Sequence, residues 1–256
     1  MNIVHIRHTK LLNLVNEKKR VAVTELAATL GVSEVTIRKD LSTHEHMGLL
    51  RREHGFAALS QSDDIGHHLS FNYETKRRIA LRAAKTIHNG ETVMIESGSC
   101  CTLLAQELAT NRQGVTIITN SSFIASFVRK SQNAHTILLG GEYQNESQVV
   151  VGPMVEKCVS AFSVNKLFVG IDGFDSQGFM SNNLMRAEAI RAMAARSRHV
   201  IVLTESVKFT KTGVVSLFPL GAVDSVYTDD GMPAMAAQML HASDTHVYTV
   251  PEQREE

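Results

Sequence analysis

The segment Gly31-Val32-Ser33-Glu34-Val35-Thr36-Ile37-Arg38-Lys39-Asp40-Leu41 decides how the first part of the chain is read. In a helix each residue advances about 100° around the axis, which puts Ile37, Leu41, His44 and Gly48 on one side. That side belongs to a core. Val35, Arg38, Lys39, Ser42 and His46 fall on or near the opposite side, where a valine and two cations share a surface that a self-contained helix leaves wet. Such a surface points to a contact outside the fold.

The flanking sequence places this helix in a small unit. Residues 21–31, VAVTELAATLG, read as a preceding helix with Thr24 as N-cap, Leu26, Ala27 and Leu30 as the buried stripe, and Gly31 as its end. Only Val32 intervenes before Ser33 caps the next helix. Upstream, Ile6, Leu11, Leu14 and Val15, with Lys10, Lys18 and Lys19 between and after them, predict an amphipathic helix of about three turns. A helix, a tight glycine-containing turn and a second helix form the helix-turn-helix arrangement, whose last helix enters the DNA major groove. Arg38 and Lys39 suit guanine edges or phosphates, Ser33 and Thr36 suit phosphate or base contacts, and Val35 packs on a thymine methyl. Downstream, LLRREHGFAAL reads as a β-hairpin that adds Arg51 and Arg52 beside a phosphate backbone. The candidate DNA-binding residues are therefore Ser33, Glu34, Val35, Thr36, Arg38, Lys39, Arg51 and Arg52. The alternatives for this unit are a protein-interaction module or a helical domain with a merely solvated charged face.

The chain has 256 residues, enough for two ordinary domains. With 43% hydrophobic and 20% charged residues, it has the composition of a globular protein. No apolar run reaches membrane-spanning length, and His5, Arg7, His8 and Lys10 interrupt any signal-peptide core, so a cytoplasmic location is expected. Cys100 and Cys101 are adjacent and only Cys158 is distant, which gives neither a disulfide framework nor zinc spacing. No metal or cofactor is expected. The formal net charge is zero, but residues 1–60 hold nine Lys/Arg against six Asp/Glu, net +3, and the remainder carries net −3. The excess of positive charge coincides with the helix-turn-helix.

Residues 60–70, SQSDDIGHHLS, are polar and mostly aperiodic and read as a linker. From Phe71 a helix is expected with Ile79, Ala83, Ala84 and Ile87 on its buried face, stopped at Asn89-Gly90. Apolar runs TVMIE, VTIIT, HTILLG, KLFVGI, HVIVLT, DSVYT and THVYTV then alternate mostly with helical stretches. That alternation predicts a mainly parallel, doubly wound α/β sheet, whose ligand crevice lies beyond the carboxyl ends of the strands. The loops there are ESGSCCT, TNSS, GGEYQN, GIDGFDSQGF and TESVKFTKTG. In the first, backbone N–H groups and the hydroxyls of Ser99 and Thr102 converge where a phosphate would sit, with Lys208 as counter-charge.

Residues 25–55 resemble the winged helix-turn-helix of the DeoR family of bacterial transcriptional regulators. The family block L-x-V-S-x-x-T-I-R-R-D-L is matched by Ser33, Thr36, Ile37, Arg38, Asp40 and Leu41, with Lys39 for an arginine and Phe56 for the second wing glycine. The large unit resembles the family's sugar-phosphate-responsive domain, similar in fold to ribose-5-phosphate isomerase and glucosamine-6-phosphate deaminase. The family's D-x-G-[ST]-T-T appears as Glu96-Ser97-Gly98-Ser99-Cys100-Cys101, its T-N-S as Thr119-Asn120-Ser121, its glycine pair as Gly140-Gly141, and its D-x-S-K-F as Glu205-Ser206-Val207-Lys208-Phe209. Two aspartates of the pattern are glutamates here and two threonines are cysteines. The resemblance implies a phosphorylated sugar-like effector, with Gly98, Ser99, Thr102, Asn120, Ser121, Gly141, Asp172, Glu205 and Lys208 as candidate binding residues.

The expected organisation is a DNA-binding domain at 1–59, a linker at 60–70, an α/β effector domain at 71–250 and a polar tail at 251–256. The expected function is a repressor, dimeric or tetrameric, of a double-stranded DNA operator, with no membrane partner and no catalytic residues. The alternative is a sugar-phosphate isomerase or aminosugar deaminase with an appended N-terminal domain, Asp172 acting as base with Glu205 and Lys208 as helpers.

Overall fold

A computed structural model describes residues 3–59 and 65–251, with side chains from residue 6 onward. The chain divides into two compact units between residues 74 and 75.

The first unit runs α1 (Ile3–Lys18), β1 (Arg20–Ala22), α2 (Val23–Leu30), α3 (Glu34–His46), β2 (Leu50–Glu53), β3 (Phe56–Leu59) and α4 (Ile65–Ser70). Its core gathers Leu11, Leu12, Val15, Val21, Leu26, Ile37, Leu41, Leu49, Leu50, Ala57 and Leu69. The hairpin β2–β3 pairs antiparallel from Leu50↔Leu59 to Glu53↔Phe56, and β1 adds to its other side to complete a three-stranded sheet. Gly31 ends α2 at φ 66°, a left-handed conformation that costs glycine nothing, and Ser33 Oγ accepts from Thr36 N to start α3.

Three expectations for this unit are corrected. Thr24 does not cap α2. Ala22 holds the cap position without a side-chain bond, and Val23 N–H donates to the Gly55 carbonyl of the hairpin at 3.0 Å, so a tertiary contact replaces the cap. Ile6 lies 36% exposed, and Leu12 takes a core place instead. The linker reading fails for residues 65–70: α4 is helical, Leu69 is buried, and Asn16 Nδ2 donates to the Ser70 carbonyl at 2.8 Å while Ser70 Oγ donates to Asn16 Oδ1 at 2.9 Å. A single buried leucine and a serine tied to a distant asparagine leave no periodic trace in so short a helix. Residues 60–64 of that segment, and 252–256 of the tail, lie outside the described residues.

The second unit takes in most of α5 (Tyr73–Ala84), which ends earlier than the Asn89-Gly90 stop suggested, although Ile87 is still buried. It continues β4 (Thr92–Ile95), α6 (Ser99–Asn111), β5 (Val115–Thr119), α7 (Ser122–Val128), β6 (Ala134–Leu138), β7 (Glu142–Gln144), β8 (Val149–Val151), α8 (Pro153–Val159) and β9 (Val164–Val169). It ends β10 (Gly173–Asp175), β11 (Gly178–Ser181), α9 (Leu184–Ala194), β12 (Ser197–Leu203), a 3-10 turn (Ser206–Thr210), β13 (Val215–Pro219), β14 (Ser225–Asp229), α10 (Ala234–Ala242) and β15 (His246–Val250).

The seven apolar runs of the sequence form one seven-stranded sheet in the order β15-β14-β12-β9-β4-β5-β6. Every pairing in it is parallel. The chain starts in the middle at β4, builds outward to β6, then returns past β4 to β9 and builds the other way. This reversal is the mark of a doubly wound fold, and it places the topological switch point between β4 and β9. The short antiparallel groups β7–β8 and β10-β11-β13 decorate this sheet.

Candidate functional site

On the first unit, α3 presents the surface expected of it. Ile37, Asp40, Leu41 and His44 are buried, whereas Val35 is 72% exposed and Arg38, Lys39, Ser42 and His46 are exposed beside it. Arg38 Nη2 holds Glu34 Oε2 at 2.6 Å, one turn apart on the same face. In the wing, Arg51 and Arg52 are exposed; Arg52 stands 3.8 Å from Glu45, and Arg51 Nε donates to the Leu59 carbonyl at 3.2 Å. The wing turn has Gly55 at φ 76°, and the residue in place of a second glycine, Phe56, carries the Arg20 guanidinium 3.6 Å above its ring. That stack supports a two-residue turn without a second glycine.

On the second unit, the candidate loops all follow sheet strands at their carboxyl ends: residues 96–98 after β4, 120–121 after β5, 139–141 after β6, 170–172 after β9 and 204–208 after β12. Gly98, at φ 129°, occupies the N-cap of α6 with no side-chain bond, so the first N–H groups of this 13-residue helix keep no acceptor from the cap. Ser99 is its first residue and is half-buried. Burial pushes the Cys100 thiol up to about 12, and the charges of Lys76, Glu205, Asp229 and Lys208 all act on it. Lys76 Nζ lies 3.3 Å from Glu205 Oε2, and Asp229 accepts from Ser206 N at 2.8 Å.

Several candidates have structural partners. The Thr102 hydroxyl is buried and donates to the Gly98 carbonyl at 2.9 Å, so it closes the first turn instead of reaching toward a phosphate. Ser121 Oγ accepts from Ile124 N at 3.1 Å and caps α7. Gly141 is required by packing, since a Cβ there would stand 2.6 Å from the Val151 carbonyl oxygen. Asp172 Oδ2 accepts from Asn182 N at 2.8 Å and from Ser181 Oγ at 3.3 Å.

Beside the switch point lies a buried network that the sequence reading missed in part. Glu96 is fully buried; Ser97 Oγ donates to its Oε1 at 2.5 Å, and Arg186 Nη2 reaches Glu96 Oε1 at 3.3 Å and Ser97 Oγ at 3.2 Å. Burial pushes the Glu96 carboxyl upward against the pull of Arg186 and Ser97. Burial also works against the Arg186 charge, but Glu96 and Asp172 outweigh it and hold the guanidinium ionised. Arg186 did leave a sequence signal: a cation in the first turn of α9 opposes the helix dipole, a local breach that calls for a compensating partner. Lys76 and Asp229 left none.

Together, a winged helix-turn-helix and a parallel α/β unit with polar loops at its switch point define a DNA-binding transcriptional regulator with a sensing unit. The comparisons name the family. Residues 7–63 match the DeoR-like helix-turn-helix domain, and residues 71–230 match the DeoR C terminal sensor domain. The chain belongs to the DeoR family of transcriptional regulators. It is 31% identical over 245 residues to the glycerol-3-phosphate regulon repressor of Escherichia coli (strain K12), covering 94% of this chain and 96% of that one. It is 26% identical over 253 residues to the putative aga operon transcriptional repressor of Escherichia coli O157:H7, covering 96% and 94%. Among solved structures, a probable sor operon regulator from Shigella flexneri aligns with TM-score 0.44 at 9% identity over 66% of this chain and 88% of that one. The isomerase or deaminase alternative is not favoured by these relatives. No described helix is long and apolar enough to cross a membrane.

Proposed function

We propose that this protein is a cytoplasmic repressor whose affinity for a double-stranded operator is set by a phosphorylated sugar or similar metabolite bound at the carboxyl edge of the seven-stranded sheet. The uncapped N-terminus of α6, with Lys76 and Lys208 acting on its first turn, is the observation that carries this reading. Backbone N–H groups, a helix dipole and cations together hold a phosphate dianion. The relatives that regulate glycerol-3-phosphate and aga genes support it. On the first unit, α3 reads bases through Val35, Arg38 and Lys39, with Ser33, Glu34 and Thr36 at its entry, and Arg51 and Arg52 of the wing hold the backbone. Operators carry two half-sites, so a homodimer or a tetramer binds them.

Genomic DNA selection with the purified protein at physiological salt, repeated with a panel of phosphorylated sugars, tests this reading. A repeated motif whose occupancy one phosphate ester shifts is the expected result. Lys208→Ala should keep operator binding and lose the shift. No enriched motif under any condition overturns the reading.

A further inference from the structure

Three polar atoms near the switch point are buried without a hydrogen-bond partner among the described residues: Glu96 Oε2, Asn120 Oδ1 and Arg186 Nε. Their residues are neighbours. Arg186 touches Glu96 directly, and Glu96 and Asn120 are the first residues after β4 and β5, two strands paired side by side in the sheet. Glu96 and Asn120 are both fully buried, and Asn120 spends its Nδ2 on the Val150 carbonyl at 3.3 Å. Leaving such atoms unpaired is costly, so a cluster of them marks a place that a ligand completes.

We propose that Arg186, Glu96 and Asn120 form a hydroxyl-recognising subsite that makes this sensor select a phosphate ester with a neutral polyol chain, the acceptor oxygens of Glu96 and Asn120 setting the specificity. The proposal rests on the effector reading above and deepens it. The chemistry of the three atoms fixes the ligand class. Two are carbonyl-type oxygens that ask for donors, and one is an N–H that asks for an acceptor. A hydroxyl group gives and accepts, so adjacent hydroxyls satisfy all three. A hydroxyl also suits Glu96 in either protonation state. A carboxylate end, as in a sugar-acid phosphate, matches Arg186 alone and meets the oxygens of Glu96 and Asn120 with no hydrogen to offer. Arg186 is the open member of the three, 22% exposed over a fully buried Glu96, so a ligand arrives along its guanidinium. The phosphate then lies at the first turn of α6, a few residues along the same loop from Glu96.

The test is calorimetric titration of the full-length protein with sorbitol 6-phosphate, 6-phosphogluconate and inorganic phosphate. These differ in having a polyol end, an acid end or no chain. Wild type is expected to bind the polyol ester roughly tenfold to a hundredfold tighter than the acid, the range for one or two unmatched buried polar groups. Glu96→Gln, which replaces one acceptor by an amide that can donate, should shrink that ratio while thermal unfolding shows the variant folded. Arg186→Lys, which keeps the charge beside Glu96 and removes an Nε donor that either end would use, should weaken both esters. A purely structural role of Glu96 would move stability and leave the ratio alone. Equal binding of polyol and acid esters by wild type overturns the subsite and leaves the phosphate reading intact. A ratio unchanged in Glu96→Gln overturns the assignment to these residues. Absence of binding by all three probes overturns the subsite and the effector reading together.

Discussion

Arg7 on α1 clasps Asp40 on the inner face of α3 through two nitrogens, Nε to Oδ2 at 2.6 Å and Nη2 to Oδ1 at 3.1 Å. His8 Nε2 adds a contact to the same carboxylate at 3.1 Å. The aspartate of the family block is therefore a buried anchor that ties α3 to α1. Asp40→Ala strands a partly buried guanidinium, and we expect a loss of about 2–3 kcal/mol in chemical denaturation of the first unit. An unchanged midpoint would show that the clasp contributes no stability.

Acid should loosen this unit in two stages. His44, buried on α3 with its ring 4.7 Å from that of His8, is pushed by burial down to about 4 from an ordinary 6.5. The unfolded chain binds the proton first, so stability falls as pH drops from 6.5 toward 4, by about 3 kcal/mol in all. Burial would raise the Asp40 pKa, but the bonds from Arg7 and His8 bring it below its ordinary value of 3.8. Its contribution is present above that ordinary value and is lost only as pH falls through the lowered one. Urea titrations between pH 7 and 3.5 should show the His44 slope, and His44→Leu should flatten it.

In the proposed DNA complex Glu34 competes with DNA for Arg38, which it holds in a 2.6 Å pair. Both side chains are well exposed, so the pair is worth only about 0.3–0.5 kcal/mol. Glu34→Gln frees the guanidinium and should tighten operator binding about twofold, read by fluorescence anisotropy across a salt series. Weaker binding instead would mean that Glu34 itself accepts from a base edge, as cytosine N4 allows.

Arg38→Ala and Lys39→Ala separate base reading from phosphate contact. A residue in bidentate contact with guanine should cost about 1–3 kcal/mol on the operator and little on random DNA, whereas a phosphate contact weakens both alike. Comparing specific and nonspecific affinities for each variant decides between them.

The hydroxyls of Ser99 and Thr102 should behave differently. Thr102→Val removes a bond already spent on Gly98 and should cost about 1 kcal/mol of stability while the effector response persists. Ser99→Ala, at the first position of α6, should weaken the response itself. Loss of the effector response in Thr102→Val would place that hydroxyl on the ligand.

Much of this was legible in the sequence because it is periodic. The seven strands are continuous apolar runs, and Gly31 and Ser33 announce a helix end and a helix start at the spacing a tight turn needs. The unreadable parts depend on partners far along the chain. Nothing local says that Gly55 supplies the acceptor that starts α2, or that Asn16 secures Ser70. The site divides the same way: Lys208 and Asp172 sit in recognisable loops, while Lys76 comes from a helix whose pattern marks it only as polar, and the meaning of Arg186 appears when α9 is set against β4.

The strand order also dictates when each half of the molecule can exist. The two wings of the large sheet join where β4 meets β9, through Met94↔Leu167 and Ile95↔Phe168, partners roughly seventy residues apart in sequence. The tie between Asn16 and Ser70 in the first unit spans 54. At ribosomal rates of about 5–20 residues per second, α3 is complete for several seconds before the core of the second unit can close. A chain interrupted in that interval carries the first unit without the second, so on the proposed function premature termination in this gene is expected to yield a fragment that no effector can regulate.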